Sequence, residues 1–412
     1  MNDASAREAA SSAGGPDTGA TITVMCCGSF ASSVAMRICD PMLPQFTASF
    51  HAATEQAALT VSAFSIAYGI MQLFYGPVGE RFGKLQIVAW AALASTLACL
   101  ACAAAPTLGW LVGARVAMGI TTAAIVPLGM AWIGDAVPYA GRQVMLARFI
   151  TGSVAGLIAG QAIGGVVTDF LGWRNGFLLL GFFYALAGTL LLGRIRHERA
   201  AGRTGDGRRP AAAFYAMVPA LLKERWVRSM LAIGFLEGAL AFGVLAFVPT
   251  FLHERFRAPL SVVGLVLVSY GVGGLAYTRL ARRLVARLGE RGLAIGGGLL
   301  LALAYAAMPW LPGQGWAVAA MFMAGLGFYM LHGTLQVNAT QMAPQARGIS
   351  TTLFVSVLFL GQSIGVACAA RTIDTAGFSA VSTAAALGLA ALGIAFACAV
   401  RQRPGQGATP RE

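Results

Sequence analysis

The chain has 412 residues, of which 57% are hydrophobic and only 11% charged, with a mean hydropathy of +0.71. Soluble globular chains carry about 25% charged residues, so this composition excludes a soluble fold of this length. The net charge of +13 would suit nucleic acid, but the basic residues sit in short connections between apolar runs and form no folded basic face, which excludes that partner.

Several apolar runs reach the roughly 20 residues that a helix needs to cross the hydrocarbon core of a bilayer. They do not alternate apolar with polar residues, so a transmembrane barrel is excluded as well. The pattern predicts twelve spans, at 21–42, 56–78, 86–105, 109–133, 146–168, 175–193, 229–251, 260–279, 292–311, 315–339, 349–370 and 377–399. The expected fold class is therefore all-α integral membrane, with two six-helix bundles at 21–193 and 229–399. A basic central loop (194–228) separates them, and polar tails flank them at 1–20 and 400–412. About 23 of the 29 Lys and Arg fall on one side and about four on the other. This asymmetry predicts a multi-pass inner-membrane protein with both termini in the cytoplasm. The 1–20 tail balances Arg7 against Asp3, Glu8 and Asp17, and the first apolar run contains Arg37 and Asp40. A secretory signal would want neither feature, so the first run is expected to be retained.

In the first span Ser29, Ser33 and Arg37 are four apart and Asp40 follows by three, which puts one polar stripe on an apolar helix. Ionisable groups inside a bilayer are costly and usually face a partner or a wet cavity. The second span runs out into "GPVGERFGK" (76–84), and the third carries Cys99 and Cys102. That C-x-x-C has no basic neighbour to stabilise a thiolate, and all seven cysteines lie in spans, so they read as small embedded side chains without a disulfide or zinc framework.

The fourth span reads "LVGARVAMGITTA" and holds Arg115 in its outer third, deep enough to meet Asp40, which could instead pair with Arg37. The fifth reads "GSVAGLIAGQAIGG". Its Gly152, Gly156, Gly160 and Gly164 share one face, where a partner helix can approach closely. Gln161 lies among them. In the central loop, Phe214, Met217, Leu221 and Leu222 are spaced as on an amphipathic surface helix.

The seventh span carries Glu237, the one acidic residue well inside a span of the C-terminal half; it could bind a cation or a second proton, or bond to a neighbouring helix. The eighth runs out into "ARRLVARLGER" (281–291), a faint echo of the loop after the second span. Its Arg282, Arg283, Arg287 and Arg291 read as topology signals and lipid-headgroup contacts. "GGGLL" (296–300) lacks the Lys-Ser/Thr of a phosphate loop, so no nucleotide fingerprint is present and the chain is not expected to be an ATP-driven pump. On the tenth span Tyr329, His332 and Gln336 share a face that could line a substrate cavity, as could Ser33 and Gln161.

Several of these stretches resemble a known family. "GPVGERFGK" is similar to the signature loop of the major facilitator superfamily through Gly76, Glu80, Arg81, Gly83 and Lys84, with Glu80 where the family usually has Asp. The resemblance implies that this loop braces neighbouring helix ends during alternating access. Arg115, followed one turn later by Gly119, resembles the embedded arginine motif that drug:proton antiporters link to proton coupling. The fifth span resembles the antiporter glycine motif, with Gln161 in place of its usual proline. "RICDPMLPQF" and "GLGFYMLHGTLQVNATQMAPQARG" look like stretches from bacterial predicted efflux permeases of the drug:proton antiporter branch.

Together these readings predict a secondary active transporter working by alternating access, most simply proton-coupled efflux of a small organic molecule. Proton-coupled uptake on the same fold is the alternative; a channel or membrane enzyme fits less well, since four scattered histidines supply no metal cluster or nucleophile–base pair. The proton-coupling candidates are Arg37, Asp40, Arg115 and Glu237. No cofactor is expected; the expected partners are a small-molecule substrate, protons and lipid, with the chain acting as a monomer.

Overall fold

In a computed structural model of the chain, residues 16–200, 218–343 and 347–401 are described. Phe214 and Met217, and with them the proposed surface helix, lie outside these; of that stripe Leu221 is buried and Leu222 exposed. Among the described residues all regular structure is helical, and ten helices are long and apolar enough to cross a membrane.

Two of the ten are double-length. Leu260–Ala307 has 48 residues and Arg347–Arg401 has 55. A straight 48-residue helix is about 72 Å long, more than twice the roughly 30 Å hydrocarbon core. Each breaks at a glycine, Gly289 (φ 61°, ψ −177°) and Gly377 (φ 79°, ψ 166°), so each supplies two spans and the total is twelve. That backbone region is essentially reserved for glycine, because any Cβ there clashes.

The same device appears in the N-terminal half, where Gly83 (φ 92°) and Gly172 (φ 81°) separate Thr54–Phe82 from Lys84–Ala103 and Tyr139–Leu171 from Trp173–Ala200. All four glycines therefore lie between the second and third helices of successive three-helix groups. Gly83 and Gly289 are 206 residues apart, and Gly172 and Gly377 are 205 apart. The two non-glycine residues with positive φ, His51 (49°) and Arg257 (53°), are also 206 apart. Each ends a short helix with a proline in its first turn: Leu43–Phe50 with Pro44, and Val248–Phe256 with Pro249. The backbone thus repeats as two halves, the organisation of transporters built from internal repeats.

The first span departs from its expected form. The apolar run predicts a helix through 42, but the α-helix is Pro16–Arg37, and Asp40–Met42 forms a 3-10 turn before Leu43–Phe50. Proline at 41 removes a backbone donor and clashes with the preceding turn, which places the break beside Asp40. The fourth span is Leu108–Thr122 followed by Ile125–Ala136, the seventh is Arg225–Leu245 with Val248–Phe256, and the tenth is Gln314–Thr340.

The described residues divide into two compact units, the first holding six spans with residues 259–264 and the second holding the rest. Within the first unit, the fifth span packs on the first, the third on the sixth, and the second on the fourth. A Cβ added at Gly152, Gly156, Gly160 or Gly164 would come within 3.0 Å of backbone at Cys26, Phe30, Val34 and Ile38 respectively. A four-residue step on one helix meets a four-residue step on the other. The second unit repeats this contact with different residues: Gly238 meets Leu358, Gly361 meets Phe235, and Gly365 meets Ala239, joining the seventh span to the eleventh. Trp110, Trp310 and Trp316 are exposed near the start of the fourth span and the junction of the ninth and tenth, where amphipathic rings favour the headgroup level.

Candidate functional site

The polar stripe on the first span lies beneath the glycine face of the fifth. Ser29 hydrogen-bonds Ser153, Ser33 sits against Gly156, and the Arg37 Cβ lies 3.3 Å from where a Cβ on Gly160 would be. Ser33, expected to line a cavity, is instead enclosed in this contact and 3% exposed, because glycine leaves no gap above it. Gln161 is also buried, and its side-chain oxygen has no hydrogen-bond partner.

Arg37 and Asp40 form an ion pair, with Nη1 to Oδ2 at 3.6 Å. Asp40 is fully buried, and beyond the Arg37 contact neither of its carboxylate oxygens has a hydrogen-bond partner among the described residues. A buried carboxylate normally gathers two or three such bonds. This one has a single salt-bridge partner, on the same helical turn, next to a proline break.

Arg115 is the largest fully buried side chain of the molecule's described residues. It does not pair with Asp40. Its Nε donates to the Thr60 carbonyl (3.0 Å), its Nη1 donates to the Ala35 carbonyl (3.1 Å) and touches Met118 Sδ (3.0 Å), and its guanidinium lies 4.0 Å from the centre of the Phe64 ring. The charge is thus held by two backbone dipoles and an aromatic face, tying the fourth span to the first and second. Among the described residues no carboxylate comes within 4.0 Å of it.

In the loop after the second span, Lys84 is the hub. It pairs with Glu80 at 2.7 Å and with Asp135, at the C-terminal end of the fourth span. Gly79 packs against Leu128 of that span, and Arg81 stacks on Phe82 at 5.1 Å. Gly83 supplies the turn, while Gly76 lies within the preceding helix. Asp135 was not singled out from the sequence; its place in "WIGDAVP", the acidic residue closing an apolar span, is the signal that was available. Because Asp135 is exposed, Asp135→Asn is expected to change stability by less than about 1 kcal/mol, measured as a small shift in thermal unfolding of the purified protein.

In the second unit the structure joins two residues that the sequence offered separately. Glu237 of the seventh span is fully buried, and its Oε2 lies 3.1 Å from His332 Nδ1 of the tenth. Its Oε1 is buried without a hydrogen-bond partner. The imidazole stacks on Phe328 (5.0 Å, 9° between planes) and lies 6.0 Å from Phe354. Tyr329 packs over Gly274 and beside Tyr270, and Gln336 is exposed.

Sequence reasoning also passed over a buried polar group in the first unit: the Tyr68 phenol is buried beside Gln72 and Ser32, and the Ser32 hydroxyl donates to the Thr122 carbonyl at 3.4 Å. Tyr68 and Gln72 are four apart on the second span, a stripe the sequence does display.

Comparison with known proteins agrees with this architecture. The family model described as Major Facilitator Superfamily matches residues 25–366. An uncharacterised MFS-type transporter of Bacillus subtilis, YceJ, is 24% identical over 345 residues, covering 80% of this chain and 83% of its own. A multi-drug resistance efflux pump of Streptococcus pneumoniae, PmrA, is 29% identical over 175 residues, 42% of this chain and 44% of the pump. The crystal structure of a point mutant of the nucleoside transporter NupG superposes with a TM-score of 0.74 at 13% identity, covering 92% of this chain and 99% of that one. With twelve apolar spans, a two-half repeat and a family match over most of its length, the chain belongs to the major facilitator superfamily and is a multi-pass membrane transporter of small molecules.

Proposed function

We propose that the protein exports a small organic molecule across the inner membrane in exchange for protons, working as a monomer with both termini in the cytoplasm. The observation that carries this reading is Asp40: fully buried, ion-paired with Arg37 at 3.6 Å, and placed at a break in the first helix. A carboxylate in that position is stabilised as an anion by the arginine and as a neutral acid by burial. A helix movement that lengthens the pair therefore draws a proton onto Asp40, and one that shortens it expels the proton. Arg115 supports the reading by fixing the first, second and fourth spans to one another, so that Arg37 and Asp40 move against a rigid frame. The likeness to a multi-drug efflux pump favours outward transport.

A second reading, proton-coupled uptake, is favoured by Gln161 where the antiporter motif has proline. Inverted membrane vesicles carrying a respiration-driven proton gradient separate the two. Ethidium and uridine, added in turn, serve as probes of a drug-like and a nucleoside substrate. Collapse of the gradient on adding either compound, lost in Asp40→Asn at matched expression, is the expected result. Accumulation of a probe by intact cells that depends on the protein would instead establish uptake, and an undiminished response in Asp40→Asn would remove Asp40 as carrier.

A further inference from the structure

The second unit contains a carboxylate with a single polar contact, and that contact is a histidine. Glu237 has no accessible surface, whereas 16% of the His332 side chain remains accessible. The groups facing Glu237 and its neighbours are few. The eleventh span presents Phe354 against Gly234, and Leu358 and Gln362 against Gly238. From the ninth comes Tyr305, whose phenol is committed to the Ala241 carbonyl at 2.7 Å. The twelfth places Gly388 against Leu240, and the tenth contributes Phe328 and His332. Among the described residues the titratable side chains in this surround are His332 and Tyr305, with Tyr270 and Tyr329 beyond them against Phe328, and no Lys or Arg lies within 4.0 Å of Glu237.

We propose that His332 is the proton gate of Glu237: protons reach and leave this buried carboxylate through the imidazole. Nδ1 of His332 faces Glu237 Oε2 at 3.1 Å, within the range for direct transfer. The ring is stacked flat on Phe328, which fixes its plane, and 16% of the side chain stays accessible for a proton to enter. His332 shares a helix face with Tyr329 and exposed Gln336 on the tenth span, and polar side chains within a span usually face a partner or a wet cavity. In the step itself a hydronium ion gives a proton to Nε2 and leaves as water, the Nδ1 proton passes to Oε2, and a neutral imidazole of the opposite tautomer remains. One O–H and one N–H bond break, one N–H and one O–H bond form, and the carboxylate is neutralised. Release is the reverse. The pair serves the proton-coupled reading above by adding a second proton site in the other half of the repeat, but its evidence and its test do not depend on Asp40.

The test is a pH jump on the full-length protein reconstituted in liposomes, followed by time-resolved infrared absorption of the protonated carboxyl carbonyl, with no transported substrate needed. In wild type a carboxyl band is expected to grow after acidification and to be missing in Glu237→Gln, which assigns it. His332→Asn, which keeps a side-chain donor toward Glu237, and His332→Ala are both expected to reach the same band about a hundredfold more slowly. Free imidazole is expected to restore the rate in His332→Ala. A band that survives in Glu237→Gln, an unchanged rate in both His332 variants, or no rescue by imidazole would each overturn the proposal. A normal hand-off in a protein whose vesicles show no coupling to the gradient would sink the transport reading and leave this inference standing.

Discussion

Gly156→Leu is expected to leave almost no folded protein in the membrane, and Gly156→Ala to lower thermal stability clearly. The Cβ that alanine adds would overlap the Phe30 carbonyl and press within 2.9 Å of Ser33 Cβ, where backbone on both sides prevents an easy shift. Overpacking of this kind costs about 1–3 kcal/mol, and leucine adds three further carbons to the same space. Separating the two helices would also expose Ser29 and Ser33 to hydrocarbon, where an unsatisfied hydroxyl is costly. The control is Gly113→Ala. Nothing lies within 4 Å of a Cβ there, and alanine is the better helix former by about 1 kcal/mol, so that variant is expected to be as stable as wild type or slightly more so. Thermal unfolding of the purified variants in detergent, read by the loss of monodisperse protein, measures all three. Equal stability of Gly156→Ala and Gly113→Ala would show that the first and fifth helices do not meet as described.

Arg115→Ala is expected to abolish transport and destabilise the first unit, and Arg115→Lys to restore little of either. The guanidinium makes two charge-assisted hydrogen bonds to carbonyls on two different spans, each worth about 1.5–3 kcal/mol. It also covers the Phe64 ring. Lysine can supply a charge but not a planar fork that reaches Thr60 and Ala35 while lying on an aromatic face. The measurement pairs thermal unfolding with transport in vesicles. A lysine variant with wild-type stability and transport would mean that charge alone matters at this position. If instead Arg115→Ala kept its stability and lost transport, the residue would act in coupling and not as a clamp.

How far the sequence can be read is clearest at these two sites. The spacing of Gly152, Gly156, Gly160 and Gly164 announces a face for close packing, because periodicity along one helix is a local property. It does not say that the polar stripe of Ser29, Ser33 and Arg37 lies on the other side of that contact, so Ser33 read as a cavity residue. The embedded position of Arg115 was equally legible from the cost of burying a charge, but its partners were not. Carboxylates are easy to nominate from sequence; backbone carbonyls, which every residue owns, are not, and here carbonyls took the role offered to Asp40. The turns at Gly289 and Gly377 are so local that helix runs up to each from both sides; the sequence shows the glycine but not its dihedral angles.

Composition and the periodicity of apolar runs were by themselves enough to determine that this protein lies in a bilayer as twelve helices in two halves, since hydrocarbon leaves a chain of this composition no other way to satisfy its backbone. They also determined which ionisable residues are buried at a cost. Tertiary structure alone decided the long-range pairings, Lys84 with Asp135 and Glu237 with His332, 95 residues away along the chain, and that Arg115 leaves Asp40 to its near neighbour Arg37. A repeat of 206 residues aligns the two backbones, yet of these groups Lys84 alone has a charged counterpart across it, Glu290, which accepts a hydrogen bond from Asn338. Backbone geometry follows from local sequence, whereas an ion pair depends on which helix faces arrive side by side, and that is settled only when the bundle packs.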